Sequence, residues 1–197
     1  MLAIIGGSGL SQLSNLDVSH QKVARTPYGD PSGALTFGRI GRQEVVFLAR
    51  HGFGHTIPPH RVNYRANIWA LAEIAKATHI VSVASVGGIR ADLSPGSLVI
   101  PHQLIDYTSG RISSFYDGQD APIVHIDFTQ PYDEALRQLL LTAATRAGVQ
   151  VGDGANGHVI TTLQNASETQ GAQPAHLAAG QRVLLQWSEQ HMVALDA

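Results

Sequence analysis

Three short apolar runs dominate the chain, and each stops at small or polar residues suited to a tight loop. Leu2 to Ile5 runs into Gly6-Gly7-Ser8-Gly9, Val45 to Ala49 runs into Arg50-His51, and His79 to Val86 closes on Gly87-Gly88. Runs that are apolar on consecutive residues suit strands covered on both faces of a sheet. Between the second and third lies Val62 to Ala77, with apolar residues at 62, 66, 69, 70, 74 and 77, the spacing of an amphipathic helix. Gly96 to Ile105 reads as a further strand with Pro101 at a bulge or edge. Pro131 to Ala147 reads as a helix, with acidic Asp133 and Glu134 at its start, Arg146 late and Gly148 as the stop. Strands alternating with helices predict an α/β fold, a central mixed sheet flanked by helices.

The boundaries follow from this pattern. Residues 1–150 carry the α/β alternation, and residues 151–197 form a tail rich in Gln and Ala that composition does not separate as a domain. Within the tail, "RVLLQWSEQHMVAL" suits either a final helix or a short strand pair. The 197 residues, 44% apolar and 14% charged, are enough for a sizeable core. A net charge of −2 with no basic cluster argues against nucleic acid and against a polybasic membrane contact. There is no cysteine, which excludes disulfides and thiolate metal sites. Neither a secretory leader nor a run of about 20 apolar residues is seen, so a cytoplasmic protein is expected.

The loop residues carry the chemistry. Gly6 to Gly9 with the Ser8 hydroxyl offers exposed donors to an oxyanion, or serves only as a turn. It lacks the complete dinucleotide fingerprint and the lysine of a nucleoside-triphosphate loop. Arg50 at a strand end matches phosphate oxygens two at a time, and the alternative for it is a surface ion pair. His51, His55 and His60 include no carboxylate and lie in a Gly/Pro-rich loop, so a metal is not expected. Ala84-Ser85 follows the third run. Three such strand ends converging on one crevice would make an anion site, because ligands of open α/β sheets sit beyond the carboxyl ends of the strands. Elsewhere, Asp106 and Asp127 suit turn capping, Trp69 and His102 suit the core, and Asn63 and Arg65 either orient the His51 loop or begin the helix.

Four stretches, "IIGGSGL", "RHGFGHTIPPHRVNYRANIWAL", "SVGGIRADLSPGSLVIPHQLIDYTSGR" and "HIDFTQPYD", together resemble the methylthioadenosine and purine nucleoside phosphorylase family. The wording from Pro101 onward is most similar to its bacterial S-methyl-5′-thioinosine phosphorylase branch. The resemblance runs from Ala3 to about Gly148. It implies phosphorolysis of a purine nucleoside (5′-methylthioinosine or 5′-methylthioadenosine) in nucleoside salvage, with inorganic phosphate as co-substrate and no other cofactor. It further implies phosphate contacts at Ser8, Arg50, His51, Ala84 and Ser85. Family members often carry Thr where Ala84 stands. His125 matches a histidine that, in the trimeric family, reaches the neighbouring subunit's site beside the 5′-substituent, which implies a homo-oligomer.

Beyond Gly148 the chain departs from the family. "TTLQNASETQGAQP" stands in place of a "TQGPRLET" loop, with Glu168-Thr169 its trace. Met192 to Asp196 aligns with a "VGMTGMPE" segment, putting Leu195 and Asp196 at substrate positions, where a carboxylate repels an anion. The resemblance therefore leaves two alternatives to an active enzyme: a non-catalytic phosphate-binding remnant and a subunit that caps a partner phosphorylase.

Overall fold

The computed structural model describes residues 1–88, 92–106, 108–112, 114–118 and 122–152, together with the backbone of 183–187 and 191–195. The chain divides into two compact units, Met1–Ser85 with Tyr107–Ile126, and Val86–Asp106 with Asp127–Ala197.

The first unit is built on a five-stranded sheet of order β2-β3-β4-β1-β5. Its strands are β1 (Leu2–Gly6), β2 (Asp17–Lys22), β3 (Leu35–Ile40), β4 (Gln43–Ala49) and β5 (His79–Ser82). β1 lies parallel to both β4 and β5, with Gly6 opposite Ala49 and Ile5 opposite Ser82. β3 pairs antiparallel with β4 and with β2. Side chains alternate across a strand, so β1 and β4 feed two cores. Ala3, Ile5, Val46 and Leu48 pack with Ala70, Leu71 and Ala75, while Val45 and Phe47 pack with Leu16, Leu2 and Ile4. Burial on both faces is why β1 and β4 read as continuous apolar runs.

β2 and β3 are additions to the sequence reading. Every residue of "DVSHQK" is exposed, as suits a polar edge strand. The alternation of β3 is broken by Gly38, whose missing side chain leaves room for the Asp17 carbonyl. The expected helix over 62–77 is shorter and changes character midway. It begins at Tyr64 behind the cap Asn63, whose Oδ1 accepts from Ala66 N at 3.1 Å. After α1 (Tyr64–Trp69) the chain widens into a π turn, Ala70–Ile74, with Ala75 N donating to Ala70 O. That shift in phase puts Ala66, Ala70, Leu71 and Ala75 on the buried side and leaves Trp69 half-buried. Asn67 ties this helix to the preceding loop: its Oδ1 accepts from Ser32 N at 2.7 Å and its Nδ2 donates to Ser32 Oγ at 2.9 Å.

In the second unit β6 (Leu98–Val99) runs parallel to β7 (Val151–Gly152). The strand expected over 96–105 contracts to these two residues. Gly96 sits in a turn at φ +89, and Pro101 has no N–H with which to extend the ladder past the bond from Ile100 N to Gly152 O. His102 is exposed there, not a core residue. The tail segment forms a strand pair, β8 (Val183–Trp187) antiparallel to β9 (His191–Leu195). Asp127 closes a turn as expected, accepting from Thr129 N and Oγ1.

The helix α2 (Glu134–Arg146) is capped by Asp133, which accepts from Leu136 N at 2.6 Å, and stops before Gly148 at φ +68. Pro131 precedes the cap and is not in the first turn. Glu134 accepts from Arg137 at 2.7 and 3.0 Å and from Gln138 at 2.6 Å, and these bonds hold its carboxyl down to about 2. A depressed carboxylate stabilises the fold above the ordinary range and loses that contribution as pH falls through its folded value. A carbon-detected NMR titration is therefore expected to place the Glu134 midpoint at about 2. A midpoint near the unperturbed value of about 4.3 would show that these bonds do not persist.

Candidate functional site

The three loops singled out in the sequence all leave the same sheet edge. β4, β1 and β5 are neighbours and parallel, so their carboxyl ends lie side by side. The ladder continues one residue beyond the strands, with Arg50 N donating to Gly6 O and Val83 N to Ile5 O, both at 2.9 Å. β1 then turns back through Leu10 N to Gly7 O at 3.0 Å, with Gly9 at φ +80. The Ser85 hydroxyl donates to Ser8 O at 2.9 Å and ties the loop after β5 to that turn.

Arg50 lies across this edge. Its guanidinium rests against Gly7 so closely that a Cβ there would collide with it, and Nη1 donates to Ser82 Oγ at 3.2 Å. Burial lowers its pKa from the ordinary value, and the Tyr64 phenol pulls the other way. The group remains a cation at any ordinary pH. No carboxylate among the described residues pairs with it. A half-buried guanidinium without a counter-charge is costly unless an anion meets it. Around it, the amides of Ser8, Gly9, Ala84 and Ser85 make no hydrogen bond among the described residues. The edge therefore presents one cation and a set of uncommitted main-chain donors.

Ser8, Arg50, Ala84 and Ser85 are thus brought to one place. His51 is buried, and its ring is engaged within its own loop. Nδ1 donates to Ile57 O at 2.9 Å, and the ring centre lies 4.5 Å from that of His55. No described contact joins it to the Arg50 guanidinium. His125 is exposed and makes no described side-chain contact. Leu195 is the last residue of β9, while Asp196, Glu168 and Thr169 lie outside the described residues. Ser82 is a residue that sequence reasoning missed. The signal for Ser82 was a hydroxyl ending a β-branched run, obscured by the expectation that the strand continued to Val86. Asn63 and Arg65 serve the helix start and a pair with Asp117 at 2.9 Å, respectively.

A family model described as the phosphorylase superfamily matches residues 1–184. The chain belongs to the phosphorylase superfamily. A probable S-methyl-5′-thioinosine phosphorylase of Pseudomonas syringae pv. tomato is 48% identical over 151 residues, covering 77% of this chain and 61% of the relative. The 6-oxopurine nucleoside phosphorylase of Pyrococcus furiosus is 43% identical over 153 residues, covering 75% and 56%. Among solved structures, methylthioadenosine phosphorylase from Schistosoma mansoni in its apo form superposes with a TM-score of 0.71 at 38% identity, covering 76% of this chain and 54% of that one. The chain thus spans somewhat more than half the length of these phosphorylase-superfamily relatives.

For a phosphorylase-superfamily sheet, the carboxyl ends of β4, β1 and β5 are where a ligand is expected to lie. The described donors suit an oxyanion: a planar guanidinium for two oxygens, and main-chain N–H groups for the rest. Among the described residues there is no group of three side chains suited to a metal ion, and no helix is long and apolar enough to cross a membrane.

Proposed function

We propose that this protein catalyses phosphorolysis of a purine nucleoside, with 5′-methylthioinosine or 5′-methylthioadenosine as substrate. A phosphate oxygen forms the new bond to C1′ while the bond from C1′ to the purine nitrogen breaks. The purine leaves with that electron pair and takes up a proton, giving free base and 5-methylthioribose 1-phosphate. The observation that carries this reading is the half-buried Arg50 guanidinium, held against Gly7 and Ser82 with no carboxylate partner among the described residues. Phosphate bound by Arg50, by the main chain at Ser8, Ala84 and Ser85, and by His51 would be oriented for attack. Its charge would also stabilise the positive sugar ring of the transition state. His125, Leu195 and Asp196 are assigned to the nucleoside side. Inorganic phosphate is the only co-substrate required, and the assembly is a homotrimer of the cytoplasm.

The test is base release from each nucleoside with and without phosphate, followed by chromatography. Phosphate-dependent release of hypoxanthine or adenine is expected. No turnover by protein shown to be folded would reject the enzyme. A second reading, phosphate binding without turnover, rests on the part of this chain that departs from these relatives, which match 77% and 75% of it. That reading requires calorimetric phosphate binding, lost in Arg50→Ala, with no nucleoside binding.

A further inference from the structure

Arg50 and Ser82 sit on strands that are not neighbours. In the order β4-β1-β5, Arg50 follows the end of β4 and Ser82 ends β5, with β1 between them. Two strand spacings, roughly 10 Å, separate their backbones. The Arg50 side chain therefore crosses β1 to reach the hydroxyl. It crosses at Gly7, where a Cβ would collide with Nη2. A long side chain that makes such a crossing has several rotatable bonds to fix before its donors can meet a ligand.

The nitrogen that Ser82 engages decides which donors are left. Nη1 is the terminal nitrogen cis to Cδ, whereas an N–H of Nη2 runs parallel to the Nε–H. The bond from Nη1 to Ser82 Oγ at 3.2 Å thus leaves the Nε/Nη2 edge whole. Neither Nε nor Nη2 makes a hydrogen bond among the described residues. Two parallel N–H groups are the arrangement that takes two oxygens of one oxyanion. Ser82 Oγ is the only acceptor for this guanidinium among the described residues, and the exposed Ser82 side chain has no other described partner.

We propose that Ser82 is a positioning residue of the anion site: by accepting from Nη1 it holds the Arg50 guanidinium across Gly7 and keeps the Nε/Nη2 edge for phosphate. This rests on the reading of the strand ends as a phosphate site. The hydroxyl acts on the ligand through Arg50, by restricting the poses of the fork.

Calorimetric titration of the full chain with inorganic phosphate, together with proton–nitrogen spectra of the arginine side chains, tests it in the parent, Ser82→Ala, Ser82→Thr and Arg50→Ala. Ser82→Ala is expected to weaken phosphate about tenfold, which corresponds to about 1.4 kcal/mol, with the melting temperature unchanged. Ser82→Thr keeps the hydroxyl, suits a strand end and recovers most of that affinity. At saturating phosphate the Arg50 Nε–H signal shifts in the parent and shifts less in Ser82→Ala, a change that a structural brace would not produce. A Ser82→Ala affinity within twofold of the parent overturns the proposal when Arg50→Ala has lost binding. So does an equal loss in the Ala and Thr variants, or a parent-sized Nε–H shift in Ser82→Ala. If Ser82→Ala does not fold, Ser82→Val replaces it, having the shape of threonine without the hydroxyl, and affinity equal to that of Ser82→Thr overturns the proposal. If Arg50→Ala binds phosphate as the parent does, the phosphate-site reading itself has failed, and the role of Ser82 with it.

Discussion

Arg50→Ala is expected to lower phosphate affinity at least about a hundredfold and to leave the protein folded. The size follows from what the guanidinium supplies. A hydrogen bond to a charged group contributes about 1.5–3 kcal/mol. A bidentate contact supplies two, so the loss exceeds the roughly 2.7 kcal/mol that a factor of one hundred represents. Folding is spared because the backbone bond from Arg50 N to Gly6 O does not depend on the side chain. The only described hydrogen-bond partner of the guanidinium is the exposed Ser82 hydroxyl, which water can satisfy. Removing a half-buried cation with no described counter-charge also relieves its desolvation. Calorimetry for affinity and thermal melting for stability are therefore expected to separate: affinity collapses while the melting temperature holds or rises. Parent-like affinity in a folded variant would remove Arg50 from the site.

Gly7→Ala is expected to damage both quantities. The new Cβ would meet the Arg50 guanidinium on one side and the Val83 carbonyl oxygen, 2.7 Å away, on the other. Val83 is fixed in the β1–β5 ladder through its bond to Ile5 O, so the guanidinium is the group that gives way. Its displacement breaks the bond to Ser82 and moves the cation off the edge. Phosphate affinity then falls nearly as far as in Arg50→Ala, and overpacking costs about 1–3 kcal/mol of stability. The double variant Gly7→Ala/Arg50→Ala should bind no worse than Arg50→Ala alone, since both changes remove the same contact. Gly41→Ala, in the turn between β3 and β4, is the control: its φ of +59 makes a side chain strained, but no atom lies within 4 Å of the added Cβ. It should lose stability while retaining most affinity. Additive affinity losses in the double variant would contradict the shared cause.

The sequence exposed those parts of the fold whose physics is local or one-dimensional. β1 and β4 are buried on both faces and read as apolar runs, while α2 carries its own start and stop in Asp133 and Gly148. β2 escaped notice because an exposed edge strand has no apolar face, and β3 because Gly38 answers to the Asp17 backbone of another strand. The π turn at Ala70–Ile74 depends on how Leu71 and Ala75 meet the sheet, which spacing alone does not encode. In the tail, the short apolar segments suited two periods, and the strand pair became visible only through the pairing of Val183 with Leu195. At the site, the meeting of Ser8, Arg50 and Ser85 was legible because parallel strands deliver their loops to one edge. Ser82 was not, since its importance lies in what Arg50 does in three dimensions.

The central claim is that the loops after β1, β4 and β5 form one phosphate site around Arg50. A proton–nitrogen correlation spectrum of the full chain, titrated with inorganic phosphate, tests it most directly. The amides of Ser8, Gly9, Ala84 and Ser85 and the Arg50 Nε–H are expected to shift together along a single saturating curve. Phosphate-induced shifts confined to other residues, with these five signals unmoved, would contradict the account.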